Sequence, residues 1–142
     1  MKVFRDTIEI RTEENQQFLD VTKQVRDAVG RSGIQNGTLL DQLAPHDDRR
    51  LRQRVSVGAA PRPRRHPAAA DPRRDGYRHD DPRHSDCDRA NAHAHLRATL
   101  LGRPIALAMA DGEVLLGQYQ SVILAELDGP RDRKLQVQIV GE

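Results

Sequence analysis

The centre of this 142-residue chain resists folding. Between Ala44 and Asp75 stand nine arginines, five prolines and the triple alanine Ala68-Ala69-Ala70. The large apolar residues there are Leu51, Val55 and Val57, and they recur at neither the strand period of 2 nor the helix period of 3.6. By composition this stretch reads as a disordered basic loop. A structureless insert of that length is unusual inside a compact domain, and 142 residues leave room for one domain only. A hydrophobic share of 37% and an aromatic share of 3% agree that part of the chain adds nothing to a core.

The flanks are patterned. Val3, Thr7, Ile8 and Ile10 form a strand-like run. Asp20 or Thr22 can cap a helix that places Val21, Val25, Ala28 and Val29 on one stripe and ends between Gly30 and Gly33. Asn36-Gly37 is a turn signal, and Thr38-Leu39-Leu40 begins a strand. After the centre, Asn91 can cap a helix from Ala92 to Leu101, stopped by Gly102 and Pro104. Strand-like pieces follow at Ile105–Met109, Glu113–Leu116, Gln118–Glu126 and Lys134–Val140. Asp111-Gly112 predicts a tight hairpin, and Asp128-Gly129-Pro130 a second turn. In the last piece Leu135, Val137 and Ile139 share one face, with Gln136 and Gln138 on the other. Short connections predict an antiparallel meander beside helices, hence an α+β fold.

Net charge is +2, too small a basic excess to imply nucleic acid. The arginine-rich centre has no aromatic residue before Tyr77 and no nucleic-acid-binding motif. One cysteine, Cys87, forbids an internal disulfide framework and suits a reducing compartment. No apolar leader opens the sequence and no apolar run spans a bilayer, so a cytoplasmic protein with no membrane partner is expected.

Chemistry is concentrated late in the chain. His93, His95, Asp80 and Asp81 carry imidazole and carboxylate groups suited to zinc or another divalent ion, to phosphate, or to proton exchange. On a helix, His93 and His95 lie about 200° apart, which weakens simple chelation. Surface histidines and a plain Asn91 N-cap are the alternatives. Arg97 and Arg131 can grip phosphate in a planar fork or lie solvated. Gln120 and Glu126 sit six apart on one strand, hence on one face, and Tyr119 points the other way.

In order, the flanks carry Ile8-Glu9-Ile10, Ser32-Gly33-Ile34-Gln35-Asn36-Gly37, His79-Asp80-Asp81, Asn91-Ala92-His93-Ala94-His95-Leu96-Arg97, Leu116-Gly117-Gln118-Tyr119-Gln120 and Glu126-Leu127-Asp128-Gly129-Pro130-Arg131. This combination resembles the YjbQ-like family of secondary thiamine-phosphate synthases. The resemblance implies a two-layer antiparallel β-sandwich with flanking helices, assembled as a homotrimer with sites at or near subunit interfaces. It implies weak condensation of a hydroxymethylpyrimidine diphosphate with a thiazole phosphate, with a divalent metal (Zn or Mg) possible. The residues carried over are His93, His95, Asp81 and Glu126 as catalytic, His93, His95 and Asp80 as metal ligands, and Asn91, Arg97, Gln120 and Arg131 as substrate-binding. A metal-dependent phosphate-ester hydrolase and a non-catalytic assembly protein are the alternatives.

Members of that family carry a Pro-His-Thr-Thr-Ala-Ala-like motif and then an Asn-Glu-Tyr-Glu-like motif where this chain has its arginine-rich centre. Neither is present, and His46, flanked by Pro45 and Asp47, does not restore the first. Compatible codons for Ala44 to Leu51, read one base over, spell Pro-His-Thr-Thr-Thr-Ala-Ala. Those for Arg52 to Val57 then give Val-Asn-Glu-Tyr-Gln. The expectation is that residues 41–70 are a frameshifted translation that disrupts the central strand and helix and impairs folding and activity. Sequencing the gene decides this, since an unbroken frame without the shifted motifs refutes it.

Overall fold

The computed structural model describes residues 1–43, 56–61, 77, 80–83, 90–101 and 105–142. It contains β1 (Lys2–Arg11), β2 (Gln17–Asp20), α1 (Thr22–Ser32), β3 (Gly37–Leu43), β4 (Ser56–Pro61), α2 (Ala92–Leu101), β5 (Ala106–Ala110), β6 (Glu113–Val114), β7 (Gln120–Glu126) and β8 (Asp132–Gly141). Two antiparallel sheets result, one in the order β1-β8-β3-β5-β6 and the other β2-β7-β4. The α+β expectation holds.

Alternation sets the layers. In β8, Arg133, Leu135, Val137 and Ile139 point inward, and in β3 so do Leu39 and Asp41. Of these, Leu39, Leu135, Val137 and Ile139 meet Val25, Ala28 and Val29 of α1 and Val122 and Leu124 of β7 in one core. Such burial stabilises each large side chain by about 1.5–3 kcal/mol. Neither expected residue is the cap: the N-cap position of α1 is Val21, which has no side-chain cap, and Asp20, one residue earlier, accepts the Thr22 amide at 3.0 Å. Thr22 instead accepts the Val122 amide at 2.8 Å and ties α1 to β7. Gly33, at φ 63°, ends the helix in the left-handed region that glycine enters without strain. Asp111 and Gly112 also have positive φ, as a two-residue hairpin between β5 and β6 requires.

Two expectations are corrected. The four late strands do not form a meander: only β5 and β6 are hairpin neighbours, while β7 pairs with β2 and β4, and β8 with β1 and β3. The run Val122-Ile123-Leu124-Ala125 is apolar without alternation because both faces of β7 are covered. The centre is not structureless throughout. Residues 41–43 continue β3, and Ser56–Pro61 form β4, joined to β7 through backbone hydrogen bonds that need no apolar period. The strand β2 was not anticipated either. The rest of the arginine-rich stretch, with His46, His79 and Cys87, lies outside the described residues.

Candidate functional site

A buried ion pair anchors the loop between β7 and β8. Glu126 is 0% exposed, and Arg133 faces it from β8 with Nε 2.6 Å from Oε2 and Nη2 2.7 Å from Oε1. Oε1 also accepts the amides of Leu127 and Asp128, both at 2.9 Å. Burial alone would raise this carboxyl, but Arg133 and the two loop amides outweigh it and hold Glu126 below the usual glutamate range. Thr12, at the end of β1, closes the far side. Its hydroxyl accepts the Arg131 amide at 2.7 Å, with the Arg131 carbonyl at 3.0 Å and Glu126 Oε2 at 3.3 Å as acceptors for its own hydrogen.

The same loop meets the start of α2. Asn91, 1% exposed, donates from Nδ2 to Asp128 Oδ2 at 2.8 Å. Arg131 turns back on the loop, its Nε 3.0 Å from the Asp128 carbonyl and its Nη2 3.1 Å from Asp128 Oδ2. Asp80 accepts the Ala92 amide at 2.9 Å, satisfying one of the open donors of the helix start. Asn91, Asp80, Arg131 and Glu126 are therefore brought into one connected polar assembly.

The other expected residues are distributed around it. His93 and His95 are both half-buried on the first turns of α2. His95 is one turn beyond Asn91, on the side of buried Ala94 and Ala98, and the helix separates it angularly from His93. Arg97 is buried on the same helix. Asp81 accepts the Arg83 amide at 2.9 Å and its guanidinium at 2.9 and 3.1 Å, which closes a local turn. Gln120 is exposed at the opposite end of β7 from Glu126, about 20 Å away at the usual strand rise. There its Oε1 accepts the Gly117 amide at 2.7 Å. Among the described residues no three His, Cys, Asp or Glu side chains gather as a cation site.

The sequence does not single out Thr12 or Arg133, and marks Asp128 only as part of a turn and a motif. A signal for Arg133 existed: it shares parity with Leu135, Val137 and Ile139, and Glu126 shares parity with Val122 and Leu124. Opposite charges on the apolar faces of two successive strands predict a buried pair.

A family model described as "UPF0047 protein YjbQ-like" matches residues 65–142. A UPF0047 protein of Methanothermobacter thermautotrophicus is 30% identical over the whole of this chain and 95% of its own length. The chain belongs to the YjbQ-like, UPF0047 family. The Bacillus subtilis UPF0047 protein YugU is 26% identical, covering 95% of this chain and 98% of YugU. A crystal structure of a YbjQ-like protein of unknown function from Sulfolobus solfataricus superposes with a TM-score of 0.78 at 31% identity, covering 99% of each chain. Family and fold thus agree with the resemblance drawn from the flanking motifs. No helix among the described residues is long and apolar enough to cross a membrane.

Proposed function

We propose that the assembly at the start of α2 is one wall of a site for small phosphorylated substrates, and that its reaction is a weak thiamine-phosphate synthase condensation. The ring nitrogen of a thiazole phosphate would use its lone pair to bond the methylene carbon of a pyrimidine diphosphate as the carbon–oxygen bond to the diphosphate breaks, and diphosphate leaves with the electron pair of that broken bond. One observation carries the reading: Asn91, Asp128 and Arg131 are hydrogen-bonded into a single unit beside the helix turn that holds His93 and His95. Such a unit, with Asn91 buried behind it, would hold the Arg131 guanidinium beside the half-buried imidazoles with little freedom left to lose on binding an anion. Arg131 and Arg97 would bind phosphate, and His93, His95 and Asp81 would handle charge and protons. Glu126 acts through Arg133 and the loop amides and is a positioning residue. Gln120, remote within one chain, joins a site only across a boundary between copies, in keeping with a proposed homotrimer.

Purified protein given both substrates should form thiamine phosphate slowly, and Arg131→Ala should lower kcat/KM about ten-fold or more. Product formation unaffected by Arg131→Ala and His95→Ala together would reject the site.

We further propose that this polypeptide is an impaired member whose residues 41–70 come from a shifted reading frame. Asp41, the first residue of that segment, supports the idea: it occupies an inward position of β3 between Leu39 and Leu43 with its Oδ2 buried and without a hydrogen-bond partner. Sequencing of codons 38 to 74 tests this directly. An unbroken frame leaves the family membership intact and removes the explanation for the missing motifs.

A further inference from the structure

Asp41 does more than interrupt an apolar row. Its backbone amide donates to the Ile105 carbonyl at 3.2 Å, and its Oδ1 accepts the Ile105 amide, also at 3.2 Å. This reciprocal pair extends the ladder between β3 and β5, which otherwise pairs Gly37–Leu40 with Ala106–Met109. Ile105 is separated from the end of α2 only by residues 102–104. The side chain is 1% exposed, and its second oxygen meets no donor.

We propose that Asp41 is a proton-linked clip: neutral, it can stay buried with the entry of β5 held against the end of β3, and ionised, the burial of a charge whose second oxygen has no donor favours opening of that junction, although the Ile105 amide itself prefers the charged form. The surroundings favour the neutral form. Across β8, Asp41 is level with Val137, flanked inward by Leu135 and Ile139. Beyond Val137 in the same row stands Asp6 of β1, whose charge is answered by Arg31 of α1, and Arg5, which lines the same groove as Asp41, donates instead to Gln138 at 2.9 Å. On the β5 side Asp41 is level with Ile105, which packs against the core, and Leu107 and Met109 are buried further along the strand. In the other sheet β4 contributes no titratable residue, and α2, which packs against β4, carries His93, His95 and Arg97. Among the described residues, then, no cation pairs with Asp41. Desolvation accordingly pushes its carboxyl up to about 6, opposed only by the Ile105 amide.

The folded group binds its proton more tightly than the unfolded one. Its stabilising contribution is therefore complete below the ordinary aspartate range and is lost as pH rises through about 6. On raising pH from 4.5 to 7.5, hydrogen-exchange protection of the Ile105 amide, corrected for intrinsic rates, should fall by on the order of ten-fold or more, and Tm by several degrees. Asp41→Asn keeps an oxygen for the Ile105 amide and removes the charge, so it should abolish the greater part of both changes. Equal pH dependence in the variant and the native chain overturns the clip. If Asp41→Asn does not fold, carbon-13 titration of the Asp41 carboxyl in the native chain decides: a midpoint near pH 6 supports it and one near pH 4 overturns it. A native chain without a cooperative transition across this range also overturns it. The proposal is independent of the frame's history, because it concerns the residue this polypeptide carries.

Discussion

The Glu126–Arg133 pair shows how burial converts a charge into a structural commitment. Both partners are buried: the side chains of Glu126 and Arg133 are 0% and 6% exposed. A buried ion pair adds little net stability over apolar residues of the same shape, but removing one partner strands the other. Arg133→Met should therefore cost about 3–5 kcal/mol, whereas the double variant Glu126→Leu with Arg133→Met should recover much of the loss, as chemical denaturation would show. The pair also contributes to acid sensitivity. Glu126 is held below its ordinary range in the folded state, so its contribution is present above the unfolded glutamate range and is lost as pH falls through the lower, folded value. Asp41 acts with the opposite sign at higher pH. Native-chain stability should thus peak in mildly acid solution, and the flank nearer neutrality should flatten in Asp41→Asn. Asn91 tests the link to α2: Asn91→Ala removes the donor to Asp128 and should cost about 1–3 kcal/mol, measured by thermal unfolding.

At the level of elements, α1 offers a paired test of backbone physics. Gly30 lies within the helix and Gly33 caps it, and neither would meet a neighbouring atom if given a Cβ. Packing therefore drops out of the comparison. Gly30→Ala should stabilise by roughly 0.5–1 kcal/mol, because alanine loses less backbone entropy in a helix. Gly33→Ala should destabilise by about 1–2 kcal/mol, because φ 63° brings a Cβ against the adjacent carbonyl. Matched denaturation curves would reveal the opposite signs. The element boundaries themselves were largely legible. The α1 stripe, the Asp111-Gly112 hairpin and the alternation in β8 each depend on near neighbours in sequence, where period and turn chemistry act. The strand β4 was not legible, since Ser-Val-Gly-Ala-Ala-Pro has no period and is recruited by the exposed backbone edge of β7. Nor was the separation of β6 from β7 into different sheets, because a short connection says nothing about which edge a strand will join.

For the whole molecule, the proposed homotrimer is the most direct test of the assembly reading. Sedimentation equilibrium of the intact chain should give about three times the 16.0 kDa monomer mass. Restoring the proposed frame should raise Tm and thiamine-phosphate formation together, as expected if an apolar strand and helix re-enter the core and offset conformational entropy of about 1–2 kcal/mol per ordered residue. A repaired chain that stays monomeric and inactive would disprove both the assembly and the catalytic proposals. The five-stranded sheet carries a groove of about 560 Å³ lined among others by Arg5, Leu40, Gln42 and Gln138 and by Asp41 and Ile105 of the proposed clip, and none of the residues carried over from the family borders it.

What the sequence determined alone was local: the two helices, most of the strand positions, the turns, the family motifs and the unusual composition of the centre. These follow from side-chain period and from backbone preference, which are written within a few residues. Only the tertiary structure decided which strands share a sheet, that Glu126 is bound to Arg133, that Asn91 reaches Asp128, and that Gln120 stands far from both. Those outcomes depend on desolvation and on contacts between residues distant in sequence, and a charge on an apolar face declares its cost only once the opposite layer is in place.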